Sequence, residues 1–225
     1  MKTFKVLGVL MSYPRAEWTT HVDEFGLLLQ QENFLPKKHL RAVLAFIEQL
    51  KTMDLYSVQE EYVATFDRGR SHSLHLFEHI HGESRDRGQA MVNLAVAYEE
   101  KGLFIDQAEL PDYIPLFLEY LSLCPAEEAV ELLGEPIDIM ATIAARLKER
   151  GSSHAALFGA LVALSRVKPS QDRIEEALAQ GLEDNSLEAL DKEWEETAAF
   201  AGQPDQSDCR ACQAPASGLD VTITQ

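Results

Sequence analysis

Residues Tyr113–Leu123 read YIPLFLEYLSL. The run is apolar on nearly every face, which suits a helix in the middle of a bundle rather than one lying on its surface. Glu119 is the exception. A lone carboxylate is costly to bury, so it must face solvent, a groove or a partner. Working outward from this stretch, helical spacing dominates and no segment sustains a period-two alternation. Asp54 is placed to cap a helix with Leu55, Val58, Tyr62 and Phe66 on one stripe. Pro136 suits the first turn of a helix that turns Met140, Ile143, Ala144 and Leu147 inward. Arg146, Lys148 and Arg150 enrich its last turns, and Gly151 stops it. Ser170 caps a further helix ending near Gly181, and Asn185 with Glu188 has capping-box spacing for another. The expected fold is an all-α single-domain bundle of roughly nine to eleven helices over residues 1–200, with a polar, disordered tail over 201–225.

The chain has 225 residues, 46% of them hydrophobic, enough for one ample core. Its formal net charge is −17. That field repels nucleic acid and anionic lipid and favours basic partners. More than half of it sits late in the chain, where twelve carboxylates face two bases between Gln171 and Asp208. A solvated helix face accounts for such a run, and an acidic surface for a basic ligand is the sharper alternative. No apolar run approaches the eighteen or so residues that span a bilayer, and Val6–Met11 is shorter than a signal-peptide core. The expectation is a cytoplasmic protein with no membrane span and no nucleic-acid partner.

The densest polar stretch is FEHIHGESRDRGQAM, residues 77–91. His75 and His79 have the i, i+4 spacing that puts two imidazoles on one helix face for a metal, with Glu78 or Glu83 as a carboxylate ligand. There is no HExxH order, so hydrogen-bonded structural histidines are the expected state. Arg68, Arg70, Arg85 and Arg87 are matched by Asp67, Glu78, Glu83 and Asp86 across residues 67–88. A balanced set of this kind favours an ion-pair network over an open anion trap. Cys209 and Cys212 form a single CxxC without a second pair, and Cys124 has no assignable activating partner. No phosphate loop, dinucleotide fingerprint or nucleophile elbow is present.

Three segments narrow this further: YVATFDRGR at 62–70, LFEHIHGESRDRGQAMV at 76–92 and ELPDYIPLFLEYL at 109–121. Together with LMSYP at 10–14, they closely resemble the NarJ family, assembly chaperones of respiratory nitrate reductase. The likeness runs from the N-terminal helix to about Ala199. It implies an all-helical, non-enzymatic protein without a cofactor of its own. Such a protein binds the N-terminal leader of the catalytic (alpha) subunit in the cytoplasm. It holds that subunit open for insertion of molybdopterin guanine dinucleotide and for membrane assembly, and cofactor-delivery proteins are further candidate partners. The family hallmark falls here on Glu109, Pro111, Asp112, Leu118, Glu119 and Tyr120. The client-binding residues implied are Tyr62, Phe66, Asp67, His79, His81, Glu83, Arg85, Asp86, Arg87, Asp112, Tyr113, Phe117, Glu119 and Tyr120. FEHIHGESRDRGQAM then reads as a polar hinge and partner surface, and Glu119 as a groove residue paired with Arg85, Arg87 or a basic group of the leader. Tyr113 stands where many relatives have His, and His72 and His75 stand where Thr-like or Leu-like residues are expected. Two rivals remain: a helical adaptor joining folded partners, and a metal-dependent hydrolase using His75, His79 and Glu83.

Overall fold

In a computed structural model of the chain, residues 1–68, 70–79, 85–106 and 109–179 are described. They fall within one compact unit, Met1–Asn185. Among them eleven α-helices follow one another: α1 Lys2–Met11, α2 Ala16–Thr19, α3 Val22–Glu32, α4 Lys37–Thr52, α5 Leu55–Tyr62, α6 Arg85–Glu100, α7 Ile114–Leu123, α8 Ala126–Leu132, α9 Ile137–Glu149, α10 Ala155–Leu164 and α11 Gln171–Ala179. The described residues contain no β-strand, and the all-α class expected from the sequence is the class observed. No described helix is long and apolar enough to cross a membrane.

Two helices with almost no polar face organise the core. In α7, Ile114, Pro115, Phe117, Leu118, Tyr120 and Leu121 are buried, as the quoted run demanded. In α10, AALFGALVAL, the buried residues are Leu157, Phe158, Ala160, Leu161 and Leu164. Helix α1 packs along α7, while α10 packs on α9 and α4. The amphipathic α4 contributes Val43, Phe46, Ile47 and Leu50 to the same core. Close approach of α1 to α7 depends on Gly8: a Cβ there would lie 3.0 Å from the Pro115 carbonyl oxygen and 3.3 Å from the Leu118 Cβ. A side chain would force the two helices apart.

The punctuation follows local chemistry. The Asp54 carboxylate caps α5 by accepting the Ser57 N–H at 3.1 Å. Val58 and Tyr62 are buried and Leu55 partly so, but the stripe does not reach Phe66 in regular α-helix. Residues Val63–Asp67 widen into a π-helical turn, which seats the Phe66 ring 5.0 Å from that of His154 and leaves Asp67 exposed. Gly151 ends α9 at φ +73°, with its N–H on the Lys148 carbonyl and that of Ser152 on Leu147.

Met140, Ile143 and Leu147 of α9 are buried, and Ala144, partly buried, packs against the same core, as expected. Arg146 stands in the last turn as expected and is 8% exposed, donating to the carbonyls of Ser71 at 2.9 Å and Ala177 at 2.7 Å. A guanidinium has enough donors to serve two chain segments at once, and it meets α11 at its carbonyl-rich end, where positive charge is favoured. Helix α11 begins after Ser170 as expected. Its continuation toward Gly181, the helix at Asn185–Glu188, most of the late acidic run, Cys209, Cys212 and the tail all lie outside the described residues.

Candidate functional site

Lys5, Gly8, Val9 and Ser12 follow i, i+3, i+4, i+7 spacing and so share one face of α1. That face forms one wall of a groove; Glu109, Tyr113, Pro115, Leu116 and Glu119 form the other. The groove encloses about 240 Å³. Its floor is apolar, from Val9, Pro115 and Leu116, and two carboxylates stand among its walls. Glu119 therefore does face a groove. Its partner among the described residues is a lysine. Lys5 Nζ donates to Glu119 Oε1 at 3.1 Å, and the two side chains are 61% and 43% exposed.

Of the two arginines expected there, Arg87 is engaged elsewhere, and the Arg85 side chain lies outside the described residues. Arg87, partly buried, lies 3.8 Å from Glu78 and 4.0 Å from Asp112. Asp112 is fully buried and draws His75, Phe77 and Arg87 around itself. One carboxylate oxygen is 3.3 Å from His75 Nδ1, and the other accepts the Phe77 N–H at 3.1 Å. Its carbonyl accepts the Leu76 N–H at 3.0 Å, and the Leu74 carbonyl accepts the Ile114 N–H at 2.8 Å. These bonds make a single antiparallel bridge between His75 and Tyr113, pinning residues 74–77 to the entry of α7. Burial alone would push the Asp112 carboxyl up. The His75 and Phe77 hydrogen bonds and the charges of His75 and Arg87 outweigh it and hold the carboxyl below its ordinary value. The Asp112 hydrogen bond raises His75 in turn, against its own desolvation.

His75 and His79 do not share a helix face. A short 3₁₀ turn, Leu76–Glu78, lies between them, and the expected i, i+4 pairing is lost with the α-helix it assumed. His79 Nε2 donates to the Ser73 carbonyl at 2.9 Å instead. Among the described residues no three His, Cys, Asp or Glu side chains are grouped to hold a metal ion. His72 and His154 are buried, and desolvation lowers both to about 4, with the Arg150 and Arg146 charges adding to the effect at His72.

Tyr113 joins the groove to this polar hub. It lines the groove, its hydroxyl is 3.3 Å from that of Tyr62, and its ring centroid lies 5.5 Å from that of His75. Tyr62 also carries the Tyr13 ring edge-on at 5.5 Å and the Phe66 ring at 5.1 Å.

The client-binding set implied by the motifs thus divides. Tyr113 and Glu119 line the groove, and Asp67 is exposed. His79 and Arg87 are partly buried in the hub. Tyr62, Phe66, Asp112, Phe117 and Tyr120 are buried and hold other parts of the chain. His81 and Glu83 lie outside the described residues, as do the side chains of Arg85 and Asp86. The implied client-binding set did not include Lys5, Gly8, Val9 and Ser12, although their helical spacing was there to be read.

A family model described as nitrate reductase delta subunit matches residues 37–160. Over 191 residues the chain is 44% identical to the nitrate reductase molybdenum cofactor assembly chaperone NarJ of Escherichia coli K12, covering 85% of this chain and 81% of that one. It is 42% identical over 197 residues to NarW of the same strain, provisionally described as a chaperone of the same kind, covering 87% and 82%. A solved structure of a candidate redox enzyme maturation protein from Archaeoglobus fulgidus superposes with a TM-score of 0.52. It covers 70% of this chain and 88% of that one at 22% identity, a likeness of fold alone.

Proposed function

The chain belongs to the nitrate reductase delta subunit family, and from that premise we propose that it is a non-catalytic assembly chaperone for a respiratory nitrate reductase. It binds the N-terminal leader of the catalytic subunit in the cytoplasm. It thereby keeps that subunit open for insertion of the molybdenum cofactor and holds back its membrane assembly until the cofactor is in place. The α1–α7 groove is the observation that carries this reading. An apolar floor flanked by Glu109 and Glu119, in a chain of net charge −17, suits a peptide with one apolar face and basic side chains beside it.

The chemistry required is binding and release. Apolar side chains of the leader leave water against Val9, Pro115 and Leu116, and its cations meet carboxylates at the rim. The rim groups are solvated, so each contact contributes little and the client can be surrendered. The buried hub sets the angle at which the chain enters α7 and so fixes Tyr113 and Glu119 as groove walls.

Calorimetric titration with a synthetic leader peptide tests the proposal. Binding should weaken as salt rises and the Debye length shrinks from about 10 Å at 0.1 M, and it should persist at high salt because apolar burial is unaffected. Deleting the leader from the client separates a leader chaperone from an adaptor. The chaperone loses most of its affinity, whereas an adaptor that grips folded surfaces keeps it.

A further inference from the structure

The groove already contains a cation belonging to the chain. Lys5 and Gly8 lie three residues apart on α1, and Pro115 and Glu119 lie four apart on α7. Gly8 marks the close contact of the two helices, against the Pro115 carbonyl. One turn away from that contact, Lys5 reaches Glu119 across the groove mouth at 3.1 Å. Both side chains remain largely solvated, and ion pairs this exposed form and break readily. Glu109, the other carboxylate of the groove, belongs to the same wall as Glu119. Lys5 is the single basic side chain among the described residues that line the groove.

From this geometry we infer that Lys5 is an internal competitor for Glu119 and sets the selectivity of the groove. Its ammonium occupies the position that a basic side chain of a bound peptide takes, and the peptide enters by exchanging its own cation for that of Lys5. The inference rests on the leader-binding reading above and adds to it a specificity-determining residue on α1. The physical consequence is discrimination. A cationic peptide replaces one solvated ion pair with another and loses little. An uncharged peptide crossing the same mouth parts Lys5 from Glu119 and restores nothing. An acidic peptide is repelled by both carboxylates. The competitor also holds affinity down, which suits a partner that must later be released.

The test is a set of calorimetric titrations on the full chain at low salt with two synthetic peptides: the cationic leader of the client, and the same peptide with every Lys and Arg replaced by Gln. Lys5→Gln removes the competing charge without adding apolar surface. It should tighten binding of the cationic leader about threefold to fivefold, the size of effect an exposed pair supports. Lys5→Arg keeps the competitor and should bind as wild type does. In a Glu119→Gln background, Lys5→Gln should change the affinity by less than about twofold, because nothing is left to compete for. The gain should disappear near 1 M salt, where the Debye length is about 3 Å. Lys5 is exposed, and unchanged circular dichroism will show that its variants fold.

Cationic leader that binds Lys5→Gln no more tightly than wild type, while Glu119→Gln still weakens it, overturns the competitor and leaves the leader-binding reading standing. An uncharged peptide that gains nothing from Lys5→Gln also overturns it, because such a peptide then parts no ion pair on entering. A leader that does not bind the wild-type chain at all overturns both.

Discussion

Asp112 and Glu119 are seven residues apart in one motif, and the fold uses them in opposite ways. Asp112 is fully buried and meets His75, the Phe77 N–H and Arg87 within 4.0 Å. Glu119 is 43% exposed, and Lys5 meets it at the mouth of a groove. Seven residues is two turns of helix, so both would share a face if both were helical. They do not, because α7 begins at Ile114 and Asp112 lies in the bend before it. One carboxylate builds the site. The other is left available to it. The described part of the polar run teaches the same thing: Glu78, His79 and Arg87 belong to a structural hub, whereas the groove is lined by residues outside that run.

Asp112→Ala should produce the largest effect. It strips a partly buried histidine and arginine of a shared counter-charge and a backbone N–H of its acceptor, at a cost on the order of 3 kcal/mol. A thermal scan should show a loss of about 6–12 °C for a chain of this size. A variant that melts with the wild type would mean that the hub is decoration.

Protons probe the same region without mutation. His72 and His154 are held near 4 by burial, below the ordinary value of about 6.5 that they recover on unfolding. The unfolded chain therefore takes up protons first as pH falls. Their contribution to stability is complete above pH 6.5 and is lost progressively between 6.5 and 4. From pH 6.5 to 5.5 the loss should be about 1 kcal/mol for each, about 2 together. His75 works the other way. Its raised value adds stability that is fully present below 6.5 and disappears as pH rises through that value. Denaturant titrations across this range should show stability falling toward acid. His72→Asn and His154→Asn, each less steep, would locate the protons.

Gly8→Ala tests the groove side. Overpacking against the Pro115 carbonyl costs roughly 1–3 kcal/mol, and alanine recovers about 1 through its better helix propensity, so a net loss near 1 kcal/mol is expected. Leader affinity should fall with it because the two walls move apart. A stabilised variant with unchanged affinity would show that the close approach of α1 and α7 does not shape the groove.

Much of the fold was legible in the chain. YIPLFLEYLSL announced a central helix, Asp54 announced a cap and Gly151 announced a stop, because each signal is local and its physics is complete within a few residues. The last-turn place of Arg146 was legible but its role was not, because only tertiary structure brings the Ser71 and Ala177 carbonyls to it. The π-helical turn at Val63–Asp67 was illegible for the same reason: nothing within the pentamer reveals that Phe66 must reach His154. The candidate site was half legible. Its second wall came from the motif, but the pairing of Glu119 with Lys5 joins residues 114 positions apart, and spacing says nothing about that distance.

Glu119→Gln bears most directly on the division between the two carboxylates. It should disturb stability less than Asp112→Ala or Gly8→Ala, by below about 1 kcal/mol, because an exposed pair contributes no more than that. Its effect on the client is read in a Lys5→Gln background, where no internal cation competes. There, titrated calorimetrically with the leader peptide, Glu119→Gln should weaken binding about threefold to fivefold while melting within a few degrees of its parent. Unchanged affinity at unchanged melting temperature would contradict the assignment of Glu119 to the client. A collapse in stability would contradict the distinction between Asp112 and Glu119 itself.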